Sequence, residues 1–199
     1  MHRKPFLDLL ENYHTSLPDE MHMHQQVIDF VKNNPDCFKR EFAPGHITAS
    51  VWIVNPTFTK VLMTHHAKIN LWLQPGGHCD GDSDVLAVAQ KELEEETGLS
   101  KYEIKPTIFD VDVHEIAAYK NDPTHLHYDI RFLTIADDSH DIIISDESHD
   151  LKWFTLAEAQ EQNANLSIVR MIEKTIPMQF EYNISFSTIS MLLLEFVFY

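Results

Sequence analysis

Over the first forty or so positions apolar residues return at helical intervals: Phe6, Leu9, Leu10 and Tyr13, then Val27, Ile28, Phe30 and Val31. Leu17-Pro18 interrupts the first run and Asn34-Pro35 ends the second, so the pattern predicts two amphipathic helices. From His46 the texture shortens to ITASVWIVN, KVLMTHH and NLWLQ, divided by Asn55-Pro56 and Ala67-Lys68, which reads as three strands. A helical period follows from Val85 to the Thr97-Gly98 stop. YEIKPTIFDVDVHEI, HLHYDIRFLTIA and LKWF then read as strands, and LAEAQEQ and SIVRMIEK as helices. This irregular alternation predicts an α+β fold, a mixed sheet between helices, over a doubly wound parallel one. No repeat or low-complexity stretch is present.

The helix after Val85 carries four glutamates in five positions, Glu92 and Glu94 to Glu96, at the end where the backbone dipole is already negative. Each carboxylate there costs roughly a few tenths of a kcal/mol unless a cation answers it. At roughly 100° per residue, Leu86, Val88, Ala89 and Leu93 join Val85 on one stripe, while Ala87, Gln90, Lys91 and Glu94 point away. Glu92, Glu95 and Glu96 converge on a side that overlaps the stripe, which predicts that all three are partly buried together. Three crowded carboxylates take up protons or hold a cation. Oxygen-only ligands select Mg²⁺ or Mn²⁺. The plain alternative is a charge run on an exposed face; the overlap with the apolar stripe and the flanking glycines argue against it.

Composition narrows the partners. Fifteen Lys and Arg against 31 Asp and Glu give the 199-residue chain a net charge of −16, which repels nucleic acid and anionic membrane surfaces. A polyanionic ligand would need a metal bridge. Cys37 and Cys79 have neither metal nor disulfide spacing, and the N-terminal segment lacks the apolar core of a signal peptide, so a reducing, cytoplasmic setting is expected. The apolar stretch ISFSTISMLLLEFVFY falls short of the roughly 20 residues of a membrane span and contains Glu195. Burial against the domain or in a homodimer is expected for it. The organisation read from these patterns is a helical extension over 1–42, a main domain over 43–178 and an apolar tail over 179–199. Trp52, Trp72 and Trp153 read as sheet-packing residues.

The stretch from Gly77 to Leu99 resembles the signature of the Nudix hydrolases, G-x5-E-x7-R-E-U-x-E-E-x-G-U, through Gly77, Glu92, Leu93, Glu95, Glu96, Gly98 and Leu99. Trp72-Leu73-Gln74-Pro75-Gly76-Gly77 and the later Glu147 with Trp153-Phe154 extend the resemblance over about residues 45 to 170. It implies a Nudix-like α/β/α sandwich and divalent metal on Glu92, Glu95 and Glu96. It also implies hydrolysis of a nucleoside diphosphate linked to another moiety, with Gly77 among the substrate-binding residues. A carboxylate must take the proton of the attacking water, and Glu95 and Glu147 are the candidates; the plain reading of Glu147 is an exposed acidic loop. Two positions depart from the pattern. The first glutamate is replaced by Ser83, with Asp82 one residue earlier: either Asp82 takes that place or Ser83 caps the helix. The arginine is Lys91, which keeps the charge without the bidentate fork.

In HLHYDIRF, alternation sets Leu126, Tyr128, Ile130 and Phe132 towards a core and His125, His127, Asp129 and Arg131 on the opposite face. Two histidines two apart on one strand face can share a metal. The chain is similar here to isopentenyl-diphosphate isomerase, built on the same fold, whose Cys-Gly-His aligns with Gly76-Gly77-His78. That likeness implies a second, transition-metal site of His78, His125 and His127, with nitrogen ligands favouring Mn²⁺, Zn²⁺ or Fe²⁺. The competing reading makes these the polar residues of a substrate cleft in which Arg131 reaches a phosphate. Three functions stand: a hydrolase of a small diphosphate, an isomerase of the same fold, and a catalytically weak nucleotide-binding module suggested by Ser83 and Lys91. Cys79, three positions from the isomerase cysteine, is a poor substitute for it.

Overall fold

The computed structural model describes residues 2–118 and 123–197, and of 185–197 the backbone alone. Two helices open the chain, α1 (Lys4–Glu11) and α2 (Pro18–Asn33). Four strands follow: β1 (Gly45–Val54), β2 (Lys60–His66), β3 (Leu71–Leu73) and β4 (Gly76–His78). Helix α3 (Val85–Thr97) leads to β5 (Glu103–Ile116), β6 (His125–Ile135) and β7 (Ser148–Thr155), and α4 (Leu156–Gln162) and α5 (Leu166–Val197) complete the fold. The sheet runs β3-β2-β1-β6-β5, with β4 paired to β1 and β7 to β2. It is mixed: β1 and β6 lie parallel, and the other pairs are antiparallel.

Strand β1 is buried along its whole length because helices cover both of its faces. Ile47, Ala49, Val51 and Ile53 share one core with Val27, Val31, Val88 and Leu93, contributed by α2 and α3. Trp52 and Val54 face a second core with Phe109, Leu133, Ile168, Met171 and Ile172, the last three from α5. Each Val, Leu, Ile, Phe or Met among them contributes roughly 1.5–3 kcal/mol on leaving water. The result is the expected helix, sheet, helix sandwich.

The N-terminal helices are fastened by a buried charge. Glu20, in the first turn of α2, has no exposed surface; it accepts hydrogen bonds from Thr15 Oγ1 at 2.6 Å and the Val111 N–H at 3.1 Å, and it pairs with Lys174 of α5. Helix α5 passes through Pro177 and continues beyond residue 178 as one element, so the expected tail prolongs this helix. How the side chains of residues 185–199 pack, and hence the expected burial or homodimer contact, lies outside the described residues. Among the described residues, no helix is long and apolar enough to cross a membrane.

Candidate active site

Helix α3 is held at both ends by its own sequence. Asp84 is its N-cap, accepting from the Ala87 N–H at 3.1 Å, so Ser83 does not cap it. Asp82 is spent on a local turn, taking the Asp84 N–H at 2.9 Å. At the other end Gly98, with φ +67°, stops the helix in the left-handed conformation, where a side chain would also strike Ile143 at 2.7 Å.

Val85, Val88, Ala89, Leu93 and Thr97 bury α3 on the sheet, and this orientation aims Glu92 and Glu96 at the glycines of β4. A Cβ on Gly77 would lie 2.6 Å from the Glu92 carboxyl carbon, so the bare backbone is what leaves that carboxylate its place. The Gly76 N–H donates to Glu96 Oε1 at 2.7 Å. Burial pushes the Glu96 carboxyl up to about 7, with Glu92 and Glu147 adding repulsion. Burial also raises Glu92, with Glu95 and Glu147 contributing, against the pull of Lys91.

Glu95 departs from the expectation that all three glutamates are buried together. Its side chain is 58% exposed against 17% for Glu92, and Lys91 Nζ lies 3.0 Å from it and 3.7 Å from Glu92. At roughly 100° per residue, Glu96 sits about 40° from Glu92 on one side while Glu95 falls about 60° away on the other, beside Lys91. Glu147 stands exposed in the turn before β7, as its plain reading had it, yet its charge reaches both Glu92 and Glu96.

Arg131 is corrected from a phosphate ligand to a core residue. Its side chain is 2% exposed, and its guanidinium is spent on Asp129 at 2.7 Å, Asp110 at 3.0 Å and Asp112 at 3.3 Å. Helix α5 covers this face of the sheet and adds Arg170 and Lys174 to the same aspartates.

Further along that face lies a group of histidines. The parallel register of β1 and β6 sets His46 opposite His127, and β4 brings His78 beside them. The ring centroid of His46 is 4.7 Å from His127, 4.9 Å from His125 and 5.0 Å from His78. His125 and His127 approach to 3.3 Å between Nε2 atoms. Burial, ahead of the neighbouring histidines, lowers His46 to about 4 and holds His127 well below the ordinary imidazole range. All four line a cavity of about 1090 Å³ together with Arg40, His66 and Lys68.

A family model described as the NUDIX domain matches residues 44–174. The chain belongs to the Nudix hydrolase family. No curated protein matches it. Among solved structures, the Nudix chain is similar to an Ap4A hydrolase of C. elegans in a binary complex, at 18% identity and TM-score 0.55 over 66% of this chain and 96% of that one. It is also similar to the dihydroneopterin triphosphate pyrophosphohydrolase of E. coli, at 17% identity and TM-score 0.55 over 64% and 92%. The NUDIX domain of Shewanella oneidensis NrtR, in a cocrystal structure with ADP ribose, aligns at 17% identity and TM-score 0.50 over 75% and 96%. At these identities the likeness is one of fold. In Nudix terms the lysine in the arginine position, Lys91, stands over Glu92 and Glu95 as a point charge.

The glycine pair yields a separable prediction. Gly77→Ala is expected to keep the fold, since the obstructing atoms belong to a flexible side-chain end, but to displace the Glu92 carboxylate and weaken divalent binding by about tenfold or more. Gly76→Ala instead meets Ser50 Oγ at 2.3 Å and the Ala49 backbone oxygen at 2.7 Å, and is expected to unfold the strand. Thermal melts with and without Mg²⁺ check both.

Proposed function

We propose that this Nudix protein is a metal-dependent hydrolase that cleaves the diphosphate of a nucleoside diphosphate linked to a second moiety. The observation that carries the reading is the pair Glu92 and Glu96, desolvated against Gly76 and Gly77 and mutually repelled, a carboxylate cluster short of positive charge. The donors Glu92, Glu95 and Glu96 are all oxygens, which fits Mg²⁺ or Mn²⁺. When bound, the cation would neutralise phosphate oxygens and lower the pKa of an attacking water. The Gly76 N–H fixes one lone pair of Glu96, leaving its second oxygen for ligation. Lys91 restrains Glu95. Glu95 and Glu147 are exposed carboxylates of the cluster and suit the role of proton acceptor. One structural relative is named an Ap4A hydrolase and another is complexed with ADP ribose; both compounds carry phosphoanhydrides between a nucleoside and another group, which supports the substrate class. The isomerase reading gains no support from Cys79, which is buried with its thiol held well above its ordinary range by that burial. Two buried free cysteines suit the cytoplasmic setting.

The test is a screen of nucleoside diphosphate derivatives with Mg²⁺ and with Mn²⁺, following released nucleotide and phosphate. Turnover that needs the cation supports the reading; tight binding with no turnover would replace it with a nucleotide-binding module. A pH dependence accompanies it. Glu96 must be ionised to ligate, and its carboxyl stands near 7 without metal. Mg²⁺ affinity is therefore expected to be full above about pH 7.5 and to fall by up to about tenfold per unit below pH 7, with protons released on binding. Calorimetry in buffers of different ionisation enthalpy measures both; a flat profile from pH 6 to 8 would remove Glu96 from the ligand set.

A further inference from the structure

We propose that His46, His125 and His127 form a transition-metal site, distinct from the glutamate site and with His78 at its margin. One potential ligand atom from each of the three residues lies within 4.8 Å of the others. The 3.3 Å between the Nε2 atoms of His125 and His127 is also the edge of a tetrahedron around a zinc-like ion, since Zn–N bonds of about 2.0–2.1 Å place neighbouring ligands about 3.3–3.4 Å apart.

His46 supplies the independent observation. It is 2% exposed, and neither Nδ1 nor Nε2 has a hydrogen-bond partner among the described residues. Folded proteins rarely leave a buried polar side chain unpaired. Its nearest ring neighbours are the imidazoles of His78, His125 and His127, and a neutral imidazole is the form that offers a lone pair to a metal. A nitrogen donor set selects Zn²⁺, Fe²⁺ or Co²⁺ over the Mg²⁺ suited to the glutamates. Three neutral ligands leave the charge of a divalent ion uncompensated. The cavity that the histidines line is also lined by Arg40 and Lys68, which suits hydroxide or an anionic oxygen as a further ligand.

The experiment uses the full chain without a histidine tag, stripped with chelator and reloaded with Zn²⁺ or Co²⁺ alone. Metal content, cobalt absorption in the visible and X-ray absorption are compared for the wild type, a His125→Ala/His127→Ala variant and a Glu92→Gln/Glu96→Gln variant. The expected result is one tightly held ion per chain, tetrahedral cobalt bands and nitrogen scatterers in the wild type. The histidine variant is expected to lose affinity by about 100-fold or more, and the glutamate variant to keep it. His125 and His127 are half-buried, so the histidine variant is expected to fold; should its melt show otherwise, His125→Asn alone carries the same comparison. Equal transition-metal content in wild type and histidine variant, or loss in the glutamate variant instead, overturns the site. Either outcome leaves the proposed hydrolase to be judged separately by its Mg²⁺ dependence.

Discussion

Glu96→Gln is expected to lower divalent-dependent turnover by about a thousandfold while leaving the fold at least as stable as before. The catalytic loss follows from removing one ligand charge: a bound cation supplies several kcal/mol of stabilisation to the transition state, and each 1.36 kcal/mol is about tenfold in rate. The stability result follows from the sign of the pKa shift. Burial raises the Glu96 carboxyl, so without metal the folded state disfavours its ionised form, and that cost is present above about pH 7 and vanishes as the group is protonated on going down towards its ordinary 4.5. Glutamine keeps an oxygen for the Gly76 N–H and removes the repulsion from Glu92. Glu92→Gln should behave in the same way. Glu94→Gln is the control: Glu94 is exposed and hydrogen-bonded to the Tyr102 hydroxyl, away from the pair. Steady-state kinetics at saturating Mg²⁺ and metal-free melts at pH 8 decide the matter. If Glu94→Gln cost as much as Glu96→Gln, the assignment of helix faces would fail.

Arg131→Met should be the opposite case, a stability defect of about 3–5 kcal/mol. The substitution fills similar volume yet strands Asp129, which keeps hydrogen bonds from Thr48 at 2.9 Å and Ser50 at 2.8 Å but loses its counter-ion. Asp110 retains Arg170 and Lys174, so the network is weakened instead of abolished. Guanidinium unfolding measures the change, and for a chain of this size it corresponds to a fall in Tm of about 6–20 °C. A variant with full stability and a raised KM would restore Arg131 to the substrate.

The contrast between Glu96 and Arg131 shows where sequence reading reaches and where it stops. The period of α3 and the aliphatic, β-branched runs of β1 and β2 are local signals, and the elements stand where those signals put them. The pairing of Glu92 with Glu96 could be read because their spacing on one helix is itself the geometry. Arg131 was misjudged because alternation assigns a face without saying what covers it. The cover is α5, whose Arg170 and Lys174 lie far along the chain and meet Asp110 only in the folded sandwich. Glu20 was hidden in the same way, an ordinary-looking acid in a first turn that proves fully buried. His46 was missed for a related reason: its partnership with His127 depends on the parallel register of two strands about eighty residues apart, which no local pattern encodes. Glu95 shows the finer limit: its position about 60° from Glu92, on the side of Lys91, sets it off the buried pair although all three share a broad face.

Strand β4 is only three residues long, yet each has its own attachment. Gly76 gives its N–H to Glu96, Gly77 yields room to the Glu92 carboxylate, and His78 stands among the imidazoles. The strand is a crossbar between the glutamate pair and the histidine group, paired to β1 along its length. Gly76, Gly77 and His78 are consecutive in it, so a coupling between the two groups has this strand as its path. Thermodynamic linkage makes such a coupling mutual: by whatever factor occupancy on the histidine side alters affinity at the glutamates, occupancy of the glutamates alters affinity at the histidines by the same factor.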